Sequence, residues 1–214
     1  MKGTTSKEKI LKKVRNALLN QGTPLVSDHD QDSPVFPPIK DGLDICFVEE
    51  FQKVGGTFVY CENHDEFAEN FALVAQQNKW ENIFCIEEKL SKLLEPSNLK
   101  FRSSAEDFLQ AKVGITSCEC LISRFGSILV SSKSGSGRRL PVYPDVHVVV
   151  AFANQFVHDI REAIVRINGR YGAKLPSSVT MITGPSRTAD IEKTLVMGAH
   201  GPKVVYVFFI DKNQ

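Results

Sequence analysis

Two seven-residue stretches, Val146 to Phe152 (VHVVVAF) and Val204 to Ile210 (VVYVFFI), are apolar at almost every position. A strand covered on one face alternates apolar with polar residues, whereas a strand covered on both faces reads as a nearly continuous apolar run. The first stretch therefore predicts a strand buried on both sides, and the second a final core strand. Such strands require layers packed above and below their sheet.

The segments around them supply candidates for those layers. DGLDICFVEEFQKVG opens on an apolar patch at residue 41, is expected to be helical by Val48, and ends at Gly55-Gly56. Thr57 to Cys61 reads as a strand. His64 to Asn78 reads as a helix with Phe67, Phe71 and Val74 inward, Asn82 to Ile86 as a strand, and Glu87 to Leu94 as a helix stopped by Pro96. Val113 to Thr116 is a short strand, and Leu121-Ile122 with Gly126 to Ser132 reads as a hairpin or bent strand pair. Phe156 to Tyr171 is expected to be helical through Val157, Ile160, Ile164 and Ile167. Val179 to Thr183 is a strand, and Ala189 to Met197 a helix. Strands and helices alternating at this spacing indicate an α/β domain with a mostly parallel central sheet of about seven strands and helices on both faces.

Ahead of this domain, over residues 41–214, lie two segments of other character. Within residues 1–22 a basic amphipathic helix, capped by Thr5 or Ser6, places Ile10, Leu11, Val14, Ala17 and Leu18 on one face and ends at Gly22-Thr23-Pro24. Residues 23–40 hold four of the ten prolines without apolar periodicity and read as a linker or strap. A chain of 214 residues can bury roughly 70% of its unfolded surface, so one core suffices without a metal or disulfide staple.

The net charge of +1 conceals a division. Residues 1–20 and 101–214 are basic, whereas 21–100 carry fifteen acidic side chains against six basic ones. An anionic ligand is expected in the C-terminal half. Dense basic runs interleaved with aromatics are missing, which argues against nucleic acid as a partner. No apolar run approaches the ~20 residues of a membrane span, and the start runs into charge rather than a signal-peptide core, so a cytoplasmic protein is expected.

The cysteines number five, with no Cys-x-x-Cys. Cys46, Cys61 and Cys85 sit in apolar, strand-like runs and read as small buried hydrophobes. Cys118 and Cys120 would share one face of a strand, with no second ligand pair nearby. No metal site and no cofactor bound by this chain is therefore expected.

Three polar, glycine-containing segments each follow an expected strand, where open parallel sheets place ligands. In Ser131 to Arg139, Gly135 and Gly137 allow a ligand close to the backbone and Arg138 supplies charge. It is not a phosphate-binding loop of the Walker type, and a solvated hairpin tip explains its composition equally. In Thr183 to Glu192, Gly184 and Pro185 precede Ser186, Arg187, Thr188 and Asp190, a spelling that suits a helix start with anion-binding N–H groups, or capping alone. In Met197 to Pro202, Gly198 and Gly201 flank His200, which could move a proton near neutral pH or be incidental. His147, inside the apolar run, reads as a core residue. Ser-His-Asp order, His-Glu-x-x-His and Gly-x-Ser-x-Gly are missing, so standard hydrolase readings have no residues to stand on.

Taken together, the closing stretch Ile182-Thr-Gly-Pro-Ser-Arg-Thr-Ala-Asp-Ile-Glu192, with Leu195, Gly198 and His200-Gly201-Pro202, resembles the LUD domain of lactate utilisation proteins. Weaker agreement runs through Gly114 to Thr116, Gly126, Gly137-Arg138 and Leu140 to His147, so the resemblance covers residues 45–210. It implies a fold like the NagB/RpiA/CoA-transferase group. It also implies an accessory, cluster-free role in oxidising L-lactate to pyruvate, with iron–sulfur clusters on partner subunits. Where the family pattern reads Glu-Thr-Gly-Thr, this chain has Arg124-Phe125-Gly126-Ser127. That glutamate's role does not carry onto Arg124, and Glu119 is the nearest carboxylate. The site expected from residues and resemblance together binds a small carboxylate or phosphate through Arg138, Arg187 and the N–H groups after Pro185, with His200 and Glu119 as candidate catalytic groups. A stand-alone enzyme acting on a phosphorylated sugar or acyl donor, and a structural scaffold of a redox complex, are the alternatives.

Overall fold

A computed structural model describes residues 6–19, 36–104, 108–188 and 196–212. The chain divides at residue 38 into an N-terminal unit and the α/β domain. In the first unit, α1 (Ser6–Leu19) is helical as its periodicity predicts, and Ile10, Leu11 and Val14 on its apolar face are exposed. The expected cap at Thr5 and most of the proline strap fall outside the described residues.

The α/β domain runs α2 (Leu43–Lys53), β1 (Thr57–Cys61), α3 (His64–Gln77), β2 (Ile83–Cys85), α4 (Glu88–Leu94), β3 (Val113–Ser117), β4 (Cys120–Ile122), β5 (Ser127–Ser131), β6 (Val146–Phe152), β7 (Phe156–Val157), α5 (Ile160–Tyr171), β8 (Val179–Ile182), β9 (Arg187–Thr188), β10 (Val196–Met197) and β11 (Val204–Ile210). A five-stranded, fully parallel sheet has the order β1-β11-β6-β3-β2. A second sheet, β7-β4-β5-β8, is largely antiparallel, and β9 pairs with β10 alone. The parallel α/β architecture is as the sequence indicates, with its strands shared between two main sheets.

The two apolar runs are the paired centre of the parallel sheet, in register from Val204 opposite Val146 to Ile210 opposite Phe152. Alternate residues serve opposite cores. Val148, Val150, Phe208 and Ile210 meet Phe67 and Phe71 of α3 and Leu90 and Leu94 of α4. Val149, Ala151, Val205 and Val207 meet Phe47 and Phe51 of α2, and Leu121, Ile128 and Val130 of the second sheet. That sheet's outer face, through Cys120, Ile122 and Leu129, packs on Ala163 and Ile167 of α5. The layers are thus α3 with α4, the parallel sheet, α2 with the second sheet, and α5.

Local chemistry explains most boundaries. The Asn63 and Asp159 side chains accept the N–H groups of Glu66 and Glu162, fixing the starts of α3 and α5. The Asp159 cap also corrects the expected helix start at Phe156, because Phe156 and Val157 pair with β4 instead. It rotates α5 so that Ala163 and Ile167 face inward while Ile160 and Ile164 are exposed. The run around Cys46 is helical from Leu43 rather than strand-like, since Phe47 and Phe51, one turn apart, both fill the core. Cys46 is half-exposed there, while Cys61 and Cys85 are buried in strands. The helix expected over Ala189 to Met197 ends instead in a strand at Val196–Met197, with 189–195 outside the described residues.

Gly126 shows how tightly α2 is seated. It has φ +54°, and a Cβ there would stand 2.2 Å from the Phe51 backbone nitrogen. A left-handed backbone costs an L-residue roughly 1–2 kcal/mol, and overpacking adds about 1–3 kcal/mol. Gly126→Ala should lower the unfolding free energy by at least about 2 kcal/mol in urea denaturation. A loss below about 0.5 kcal/mol would show that α2 yields freely.

Candidate functional site

Parallel strands place their carboxyl ends along one edge of a sheet, where connecting loops splay apart and leave a crevice. Here that edge holds a cavity of about 580 Å³. Its walls come from Glu87 just after β2, α4, Ser117 to Glu119 at the end of β3, the end of β6 through Gln155, the loop after β5, and α5. Gln155 is buried and braces this edge, accepting from the Phe152 N–H at 2.7 Å and donating to the Cys118 carbonyl at 2.6 Å.

Glu119, itself buried, is the centre of a hydrogen-bond network. Its carboxylate accepts from Ser131 Oγ at 2.5 Å, Tyr171 Oη at 2.6 Å and Arg170 Nη1 at 2.5 Å. Burial pushes its pKa up, but the bonds from Ser131, Tyr171 and Arg170 prevail and hold it below the ordinary value. Glu87 accepts from the Ser117 N–H at 2.8 Å, from Ser117 Oγ at 2.6 Å, and from Ser136 Oγ. Lys133 lies over the Tyr171 ring, 5.5 Å from its centre. Lys89 and Arg166 complete the charged lining.

Of the residues singled out from the sequence, Glu119 and Gly135 line this cavity. Gly137, with φ +65°, and exposed Arg138 follow Gly135 in the loop but are not among the lining residues. The other two segments meet each other elsewhere. The Ser186 N–H donates to Pro202 O at 2.8 Å, and the Gly198 N–H to Ser186 O at 2.9 Å. Gly201 lies against Ser186. Arg187 donates to Val54 O at 2.8 Å, and the Lys203 N–H to Asp145 O at 2.7 Å. Gly184 and Pro185 are buried there, Thr188 is in β9 and His200 is exposed. Asp190 lies outside the described residues.

This second cluster adjoins the starts of β1, β6 and β11, the opposite edge from the cavity. The direction of β8 explains the separation. Because β8 runs antiparallel to β5, its end at Ile182 lies beside Ile128 near the start of β5, whereas Ser131 ends β5 beside Val179. Arg124 lies beyond Ile122, at the other end of β4 from Glu119.

Sequence reasoning missed Glu87, Lys89, Arg166, Arg170 and Tyr171. Two signals were available: Glu87 directly follows a strand, and Arg166 and Arg170 stand one helical turn apart on α5. Cys61, Cys85, Cys118 and Cys120 are buried as small hydrophobes, whereas Cys46 is half-exposed, and Cys118 and Cys120 occupy opposite cores rather than one face. Burial pushes the Cys120 thiol up to about 12 and Cys118 also far upward. His147 is buried, with Nε2 2.8 Å from Thr116 Oγ1, and burial holds its pKa down at about 3. No three His, Cys, Asp or Glu side chains gather as a metal site among the described residues.

The LUD domain family model matches residues 46–210, nearly the whole α/β domain. The chain belongs to the LUD domain family. This LUD chain is 36% identical to lactate utilization protein C of Bacillus subtilis over 106 residues, covering 48% of the chain and 44% of that protein. The match thus spans less than half of the relative's length. Lactate utilization protein C of Bacillus licheniformis is 27% identical over 174 residues, covering 80% of this chain and 70% of its own. A crystal structure of a DUF162 family protein from Deinococcus radiodurans shares the fold, with a TM-score of 0.57 at 18% identity over 78% of this chain and 96% of that one.

The depressed acidity of Glu119 makes a testable link between the site and stability. A lowered carboxyl pKa stabilises the fold fully above the unfolded value of about 4.3, and the contribution is lost as pH falls through the folded value. Glu119→Gln should therefore cost about 1.5–3 kcal/mol at pH 7, the worth of hydrogen bonds to a charged group. The gap between wild type and variant in urea unfolding should narrow below about pH 4. A gap independent of pH would contradict the assignment.

Proposed function

We propose that this LUD domain is a cytoplasmic, cluster-free accessory subunit of an L-lactate utilisation system, and that the carboxyl-edge cavity is its anion site. The observation that carries the first part is the family match over residues 46–210, together with relatives named lactate utilization protein C. Oxidising L-lactate to pyruvate removes two electrons and two protons. Iron–sulfur clusters on partner subunits take the electrons, leaving this chain to bind an organic anion or to organise the assembly. The cavity supports the second part, since it gathers cationic side chains and Gly135 at the edge where parallel sheets bind ligands. No described helix is long and apolar enough to cross a membrane.

Deleting the gene in its host should abolish growth on L-lactate as sole carbon source while sparing growth on pyruvate. A plasmid copy should restore it, and the tagged chain should copurify with protein-bound iron and acid-labile sulfide. Normal growth on lactate after deletion would overturn the reading.

A further inference from the structure

We propose that the carboxyl-edge cavity takes a doubly charged organic anion, a phosphate monoester or a dicarboxylate, larger than lactate. The inference rests on the reading of this cavity as the ligand site. It follows from which charges there are already satisfied and which are not.

Four cations, Lys89, Lys133, Arg166 and Arg170, line the cavity against two carboxylates, Glu87 and Glu119. Glu119 is paired with Arg170 at 2.5 Å. Glu87 is bound by Ser117 and Ser136, neutral donors that hold both of its oxygens. Lys89, Lys133 and Arg166 form no ion pair with any described residue, a state that exposed Lys79, Lys100 and Lys174 share, and what sets the three apart is the cavity they line together. They come from three separate elements, α4, the loop after β5, and α5, yet converge on one space.

The excess is thus two positive charges, and although Lys89 and Lys133 are exposed, their convergence on one concavity concentrates their field where an anion would sit. A monocarboxylate would neutralise half of that excess. A phosphate monoester carries about −1.5 to −2 at neutral pH, and a dicarboxylate −2, so either balances it. Arginine and lysine N–H groups suit the oxygens of both.

Volume points the same way. L-lactate occupies on the order of 100 Å³, a few times the ~30 Å³ share of one water molecule. The cavity, at about 580 Å³, is in the range of sites for larger organic ligands. Leu90, Leu93 and Phe152 add an apolar wall for a carbon skeleton.

Calorimetric titration of the purified full-length chain with phenyl phosphate, phthalate, benzoate and L-lactate tests this. At least one of the two dianions should bind at least about tenfold more tightly than benzoate or lactate, and the comparison of phenyl phosphate with phthalate identifies the class. Arg166→Gln and Lys133→Ala should each narrow that gap to about threefold or less, with thermal unfolding confirming that both variants fold. Lys203→Ala, at the opposite edge, should leave the gap intact. Equal affinity for mono- and dianions, no binding of either dianion, or a gap unmoved by both cavity variants would overturn the inference. These outcomes are read on the isolated protein. They are separate from growth on lactate, which can fail or succeed independently of what the cavity binds.

Discussion

A strand that is apolar on both faces is unstable until both are covered, and the pairing of β6 with β11 imposes that requirement on the whole domain. The chain meets it asymmetrically. Helices α3 and α4 cover one face through phenylalanine and leucine side chains. The other face takes α2 and a second sheet, which needs its own outer cover and receives α5. Each layer follows from leaving no apolar surface of the previous one in water.

Elements whose identity is set by their own residues were legible in the sequence. VHVVVAF and VVYVFFI could only be doubly covered strands, and α3 announces itself through Phe67, Phe71 and Val74 at helical spacing. What escaped was set by partners distant in sequence. Phe156 and Val157 fit the apolar pattern of α5 yet pair with β4, and the run around Cys46 mimics a strand until Phe47 and Phe51 are seen to fill one core. The site suffered most from this. Sequence shows that the loops at Gly135 and Gly184 each follow a strand. It does not show that β5 and β8 run in opposite directions, which sends those loops to opposite edges.

The charged side chains divide by their partners rather than by type. Glu119 looked like a candidate catalytic group because of its resemblance to a family position, but its oxygens are engaged by Ser131, Tyr171 and Arg170, so it organises the wall it belongs to. The groups with capacity to spare are cations, of which Lys133 alone falls in a segment marked from sequence, while Lys89 and Arg166 do not. A carboxylate held by three donors is a poor proton acceptor, whereas a cation without a carboxylate in a concavity retains its attraction for an anion.

Cys118 belongs to the core between the two sheets and Cys120 to the core beneath α5. The chain therefore passes from the parallel sheet to the second sheet across two residues, Cys118 and Glu119, and both of these line the cavity. The cavity wall is the seam of the domain. Any molecule bound there bridges the layers that meet at the seam, so its affinity adds to the cohesion of the layers, and loosening of the layers weakens its grip by the same amount. In this molecule, occupancy and mechanical integrity are one equilibrium viewed from two sides.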